Sequence, residues 1–148
     1  MVGPATGLED SCADLVNVRY MNEKAIYQMN QWETGRRAEQ HAAAYLKARG
    51  YRIWKSNWRS GKKELDLVAI HGGELVIIEV KSRAGNPVNH PAEVVHPKKQ
   101  RNIILAAEAF IRFHNSRRPT RFDVIAVIYD GGGVEIEHIE NAFYPTVE

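Results

Sequence analysis

Between residues 64 and 81 four ionisable side chains, Glu64, Asp66, Glu79 and Lys81, interrupt two runs otherwise made of Leu, Val, Ile and Ala. Carboxylates brought close together repel unless a proton or a cation sits between them. Hard oxygen donors of this kind suit Mg²⁺ or Mn²⁺, which take carboxylates, backbone carbonyls and waters. A lysine beside such an ion orients or deprotonates a water, or offsets charge on a phosphate. Phosphodiester hydrolysis needs that combination. Spacing alone supports a second account equally well: a structural ladder in which Glu64 pairs with Lys81 at a strand end.

The elements that position these residues follow from the pattern. "ELDLVAI" and "ELVIIEVKSR" flank His71-Gly72-Gly73 and read as a β-hairpin turning at the two glycines. With His71 facing Glu74, Val68 meets Ile77, and continued pairing sets Asp66 opposite Glu79 and Glu64 opposite Lys81. Opposed side chains sit about 5 Å apart at Cβ. Period-2 alternation then puts all four ionic residues on one face. Val68, Ile70, Leu75 and Ile77 make one apolar face, and Leu67, Ala69, Val76, Ile78 and Val80 the other. Strands apolar on both faces are central and covered, so the charges fall at a partly buried edge. Asp66 and Glu79 are the expected metal ligands, with the Val80 backbone carbonyl as a third.

Two helices converge on that edge. "ETGRRAEQHAAAYLKARG" reads as a helix stopped by Gly50, with Glu39 on the same face as Ala42, Ala43 and Leu46. An inward-facing carboxylate wants a partner; a metal site supplies one, and so does Arg36 or Lys47. The second helix opens at Pro97 and packs through Ile103, Ile104, Ala107, Phe110 and Ile111. Lys99 and Gln100 lie at its rim.

The strand "YRIWKSNWR" precedes the hairpin, the polar loop "AGNPVNHPAEVV" follows it, and "RFDVIAVIYD" and "VEIEHI" end the domain. The order helix, three strands, helix, two strands is α/β, a mixed central sheet flanked by helices. Residues 1–31 form an N-terminal extension, aperiodic to about residue 13 and then loosely helical, and 32–148 form the domain. In 148 residues the net charge of +2 argues for no partner by itself. Its distribution does: Arg36, Arg37, Arg59, Lys62, Lys63, Arg83, Lys98 and Arg101 cluster at segment ends, where they meet phosphates or serve as solvated caps. Trp32, Trp54 and Trp58 stack on bases or, as the more economical account, pack in the core or against a second copy. One cysteine excludes an internal disulfide and a four-cysteine zinc site. The absence of a long apolar run or secretory pattern points to a cytoplasmic protein with no membrane partner.

"GRRAEQHAAAYLKARGYRIWKSNWR", "KELDLVAIHGGELVIIEVKSR", "HPKKQRNIILAAEAFI", "RFDVIAVI" and "HIENAF", in that order, resemble the uncharacterised protein family UPF0102. That YraN-type group is similar to archaeal Holliday-junction resolvases and the restriction-endonuclease-like superfamily. The likeness covers about residues 32–143. It implies a restriction-endonuclease-like core and a PD-(D/E)xK signature with Asp66 as the first acid and Glu79-Val80-Lys81 as the Glu-x-Lys element. Glu39 matches the family's helical glutamate, Glu64 the acid before the aspartate, and Lys99-Gln100 the pair opening the second helix. Lys63 stands where the family commonly has glycine. The resemblance implies a Mg²⁺-dependent (or Mn²⁺-dependent) DNA endonuclease acting on branched or damaged structures, with Glu39, Asp66, Glu79 and Lys81 as its catalytic set. Homodimerisation would add a second site, as in the resolvases. A non-catalytic nucleic-acid-binding module on the same fold, and a stable domain with a structural ionic cluster, are the competing expectations.

Overall fold

The computed structural model describes residues 23–84 and 95–145. Helix α1 runs Glu23–Ala48, strands β1, β2 and β3 span Arg52–Ser60, Lys63–His71 and Glu74–Ala84, helix α2 spans Pro97–His114, and β4 and β5 span Thr120–Asp130 and Gly133–Phe143. The expected disorder at the N-terminus and most of the loop after β3 lie outside the described residues. The sequence pattern breaks the first helix near residue 32, whereas α1 passes through Trp32 without interruption. No proline stands there, and Gly35 alone weakens a helix by only about 1 kcal/mol. The chain divides into compact units at Thr34–Gly35, and the sheet with both of its covering layers belongs to the unit from Gly35 onward.

The sheet order is β1-β2-β3-β4-β5. Neighbours are antiparallel except β3 and β4, which run parallel and need the crossover that α2 supplies. The hairpin register is His71–Glu74 and Val68–Ile77, as the two glycines dictate. Gly72 and Gly73 both have positive φ, 57° and 79°, the requirement of the tight turn whose twist matches its strands. Gly50, at φ 85°, ends α1 while Tyr51 N–H bonds back to Leu46 O at 3.0 Å.

Two apolar layers cover the sheet. On one side α2 inserts Ile103, Ala106, Ala107 and Phe110 against Leu65, Val68, Leu75, Ile77, Phe122 and Val124. On the other, α1 inserts Ala38, Ala42 and Leu46 against Leu67, Ala69, Val76, Ile78, Ile125 and Val127. In β4 every residue from Arg121 to Ile128 is buried, as expected of a central strand. Trp54 and Trp58 are half-buried and turn their rings edge-on to Phe110 at 5.0 and 5.2 Å between centroids, so core packing accounts for both. Trp32, by contrast, is exposed.

Phe110 is the side chain on which the α2 layer closes. Phe110→Ala is expected to cost about 3–5 kcal/mol in denaturant unfolding, from lost burial plus the cavity left between two indoles. A loss below about 1 kcal/mol would show that the layer repacks without it.

Candidate functional site

Strands β2 and β3 part where their apolar residues end. Their ladder stops at Leu67–Ile78, while β3 stays in register with β4 as far as Ala84–Tyr129. A strand N–H left without a ladder partner needs another acceptor. Asp66 provides it: its Oδ2 accepts a hydrogen bond from Val80 N–H at 2.9 Å. Continued hairpin pairing, with Asp66 across from Glu79 and Glu64 across from Lys81, therefore does not occur. The physical reason lies in β2 and its other neighbour. Leu65 belongs to the α2 layer and Leu67 to the α1 layer, although residues two apart on a regular strand share a face. β2 thus changes face across Asp66. Beside it in β1, between the Ser56–Leu67 and Trp58–Leu65 pairs, Asn57 holds a left-handed φ of 52°. For a non-glycine residue inside a strand this is a strained conformation, of the kind that gathers at functional sites.

Carboxylates from three elements meet here. Glu39 of α1 and Glu64 and Asp66 of β2 offer oxygens that lie within 4.8 Å of one another. Glu79 of β3, only 5% exposed, is hydrogen-bonded with Asp66. Lys81 Nζ lies 3.4 Å from Glu79 Oε1, and Lys99 Nζ, from the first turn of α2, lies 3.6 Å from the same oxygen. Glu64 pairs with Arg59 at 3.2 Å, so the Glu64–Lys81 ladder is replaced by two separate contacts. Glu79 meets Lys99 of α2, while Glu39 reaches Glu64 and Asp66 from α1.

Burial and crowding raise two of these acids, Asp66 and Glu39. Burial, then the charge of Glu79, pushes the Asp66 acid up to about 8, against the pull of the Val80 N–H. In its protonated form Asp66 donates to Glu79. Burial also raises Glu39, with the charges of Glu64 and Glu79 adding to it and a hydrogen bond from Asn57 opposing it.

Gln100 departs from expectation. Its side chain turns back to donate to Val95 O at 2.9 Å, tying down the chain that enters α2 instead of reaching the acids. Val80 sits between Glu79 and Lys81, half-buried. Among the basic residues, Arg36 lines a cavity of about 180 Å³ with Glu39 and Asn57. Lys62 occupies the β1–β2 turn and Lys63 opens β2. Arg37, Lys98 and Arg101 are exposed on the helices, and Arg83 donates to Ser82 O at 2.9 Å.

A second polar cluster has no counterpart among the expected site residues. Asp123, fully buried, accepts from Arg121 Nε and Nη2 at 2.9 and 2.8 Å, meets His138 Nε2 at 2.8 Å, and accepts from Asn141 N–H at 3.1 Å. Arg121 also donates to Tyr51 Oη at 2.7 Å and lies 3.5 Å from Glu74. The signal was present: Arg121 and Asp123 stand two apart in a strand otherwise apolar on both faces. Burial alone would raise Asp123, but the bonds from His138, Arg121 and Asn141 hold it below the usual carboxylate range.

An α/β fold with a five-stranded mixed sheet between helices, and a carboxylate cluster where two of its strands part, defines the class. The model of uncharacterised protein family UPF0102 matches residues 38–127, and the chain belongs to that family. A UPF0102 protein of Phocaeicola vulgatus is 44% identical over 115 residues, covering 78% of this chain and 95% of the relative. Those of Bacteroides fragilis (strain ATCC 25285) and Chlorobium phaeobacteroides are 43% and 41% identical, each covering 75% of this chain, and 92% and 94% of the respective relative. Among the described residues no helix is long and apolar enough to cross a membrane.

The raised Asp66 fixes the sign of a pH effect. In chelator, the unfolded chain gives up this proton near the ordinary aspartate value of 3.8 and the folded chain only near 8. The associated stability is therefore present at low pH and is lost as pH rises through that window. Asp66→Asn keeps an acceptor for Val80 N–H and cannot ionise. Its melting temperature relative to the parent is expected to climb steadily from acid to mildly alkaline pH. A difference independent of pH would contradict the protonated pair.

Proposed function

We propose that this protein is a divalent-metal-dependent nuclease that hydrolyses DNA phosphodiester bonds, with branched or damaged DNA as its substrate class. One observation supports this most: Asp66, Glu79, Glu39 and Glu64 converge at the break between β2 and β3 with Lys81 and Lys99 on Glu79. The mixed sheet with a parallel β3–β4 step, Glu79 and Lys81 on its central strand, agrees with the PD-(D/E)xK resemblance of the sequence. The donor set fits Mg²⁺ or Mn²⁺, being hard oxygen throughout, and the proton held by Asp66 marks a place short of positive charge. Asp66, Glu79 and the Val80 carbonyl would hold the ion, which when bound supplies charge to the scissile phosphate and acidifies a water.

The chain's own groups do the rest. Lys81, three-quarters buried beside Glu79, offsets charge growing on the phosphate or orients the attacking water. Lys99 brings a second cation from α2 to the same carboxylate. Glu39 and Glu64 offer acceptors for water protons, and Asn57 orients Glu39 by its hydrogen bond. The exposed Lys98 and Arg101 give phosphates a first landing surface. A binding module without catalysis accounts for the basic surface and leaves four converging acids, which repel phosphate, without a purpose.

The parent is expected to cut at least one member of a panel of linear, flapped and four-way DNAs with Mg²⁺ or Mn²⁺, and none in chelator. Lys81→Ala should lower single-turnover cleavage on the order of a hundredfold while its melting temperature stays near the parent's. Parent-like cleavage would remove Lys81 from the reaction. Calorimetry gives an independent reading: Mn²⁺ should bind the parent and bind Asp66→Ala far more weakly. Equal heats from the two proteins would sink the metal site, and a parent that binds DNA without cutting any of it would leave the binding module.

A further inference from the structure

At the far end of the α2 layer from the carboxylates, a basin of about 530 Å³ opens between the start of β1, Ile70 of β2 and the turn after α2. Arg52, Arg117, Arg118 and His114 line it beside Trp54, and no carboxylate does. Among the described residues neither Arg52 nor Arg117 has a hydrogen bond or ion pair. Arg118 is held at the rim, its Nη1 3.4 Å from Gly73 O.

Basic residues after a helix commonly cap its last carbonyls. Here the imidazole of His114 does that, Nδ1 lying 3.1 Å from Phe110 O, and the backbone N–H groups of Asn115 and Ser116 take Arg112 O and Ile111 O. Arg52 and Arg117 are left over. Like charges gathered without an acid among them repel, and an anion relieves that repulsion. A guanidinium fork matches the oxygens of a phosphate ester.

Placement says which phosphate. Ile70 lies four residues beyond Asp66 on β2, and α2 joins the two regions directly. Its first turn carries Lys99 at the acids and its last turn ends at the basin. Four strand residues span about 13 Å at about 3.3 Å each. At roughly 3.4 Å per base pair that is about four base pairs of duplex. We propose that the basin around Arg52 and Arg117 is a second phosphate-binding site, which grips the backbone of the nucleic acid roughly four base pairs from the carboxylate cluster. It rests on the nuclease reading for its partner, though not for any catalytic step.

The test is fluorescence anisotropy in chelator, so that nothing is cut, over a range of salt. The probe is a labelled long duplex of about 24 base pairs, and the proteins are the parent, Arg52→Ala/Arg117→Ala and Lys47→Ala/Lys55→Ala, which removes two exposed cations outside the basin. On the long duplex the first double variant should lose at least tenfold in affinity, and its slope of log affinity against log salt should fall by about two, one for each phosphate contact given up. The second should stay near the parent. An unchanged slope for the first variant, or an equal loss from both, overturns the proposal. So does displacement of the long duplex by inorganic phosphate at concentrations too low to act through ionic strength, which would make the basin a small-anion pocket. If the parent does not bind the duplex, this site and the DNA partner fall together. If the slopes change as expected while no substrate is ever cut, the second site stands and only the catalytic reading fails.

Discussion

The hydrogen bond from Val80 N–H to Asp66 Oδ2 stands where a main-chain pair of the β2–β3 ladder would otherwise be. Everything else at the site follows from that substitution. Had pairing continued, β2 and β3 would close over each other and direct their acids outward in ordinary cross-strand pairs. Because a side chain satisfies the strand instead, the two backbones separate. Glu39 then enters from the α1 layer and Lys99 from the α2 layer, and both meet groups on β3. The same bond fixes Asp66 in place: a carboxylate bonded to a rigid strand cannot swing away from its neighbours to ease their repulsion. The crowding is relieved by a proton, and a divalent ion of suitable size offers the alternative.

Asp123 gives the comparison that separates this crowding from ordinary burial. Both aspartates lie in strands, and each accepts one strand N–H at a break in pairing, Val80 for Asp66 and Asn141 for Asp123. Beyond that their surroundings are opposite. Asp123 meets a guanidinium at two points and an imidazole, and its acid is lowered. Asp66 meets Glu79 directly and Glu39 nearby, and its acid is raised. A buried carboxylate satisfied by a guanidinium, an imidazole and an N–H is a structural tie, here joining Tyr51 after α1 to β4 and β5 through Arg121. One surrounded by other carboxylates is poorly satisfied, and perturbation of that kind clusters at functional sites. The two outcomes come from one residue type in one sheet, so partners decide them and burial does not.

What the sequence discloses divides along the same line. The element order, the Gly72-Gly73 turn, the register of the hairpin core and the face of α2 all follow from local rules: period, turn residues and caps. The identities of the acids also emerge, because Glu39, Asp66 and Glu79 are each conspicuous in apolar surroundings. Their arrangement does not. Alternation carried through Asp66 puts four ionic residues on one face, and nothing in "KELDLV" marks the place where β2 changes face. That change is a property of three strands together, felt in β1 as the left-handed Asn57 and in β3 as a ladder that ends at Ile78. Asparagine is among the few non-glycine residues that tolerate such a φ, so "KSNW" contained a cue readable only once its neighbour was known. Gln100 misleads for a similar reason, since its phase on the helix matches the buried face while its side chain bonds backward to Val95 O. The paired Arg121 and Asp123 were legible as an oddity, but their partners come from just before β1 (Tyr51) and from the middle of β5 (His138), which no local pattern connects.

The composition of α2 ties the electrostatics together. Its first turn holds no acid and carries Lys98 and Lys99, against the preference of a helix N-terminus for negative charge, and His96 gives it no side-chain cap. Each such choice costs a few tenths of a kcal/mol to about 1 kcal/mol in helix stability. Burial of Ile103, Ala106, Ala107 and Phe110 outweighs that cost many times over, so the fold tolerates it without requiring it. An unfavourable local choice that the fold does not need calls for a reason outside the helix. Lys99 has one in Glu79. Lys98 and the nearby Arg101 are exposed at the same end, and under the proposed function the group they meet is a phosphate from outside the chain. On that reading, lysines at one helix end in front of crowded acids form a surface matched to a phosphate arriving together with a metal ion.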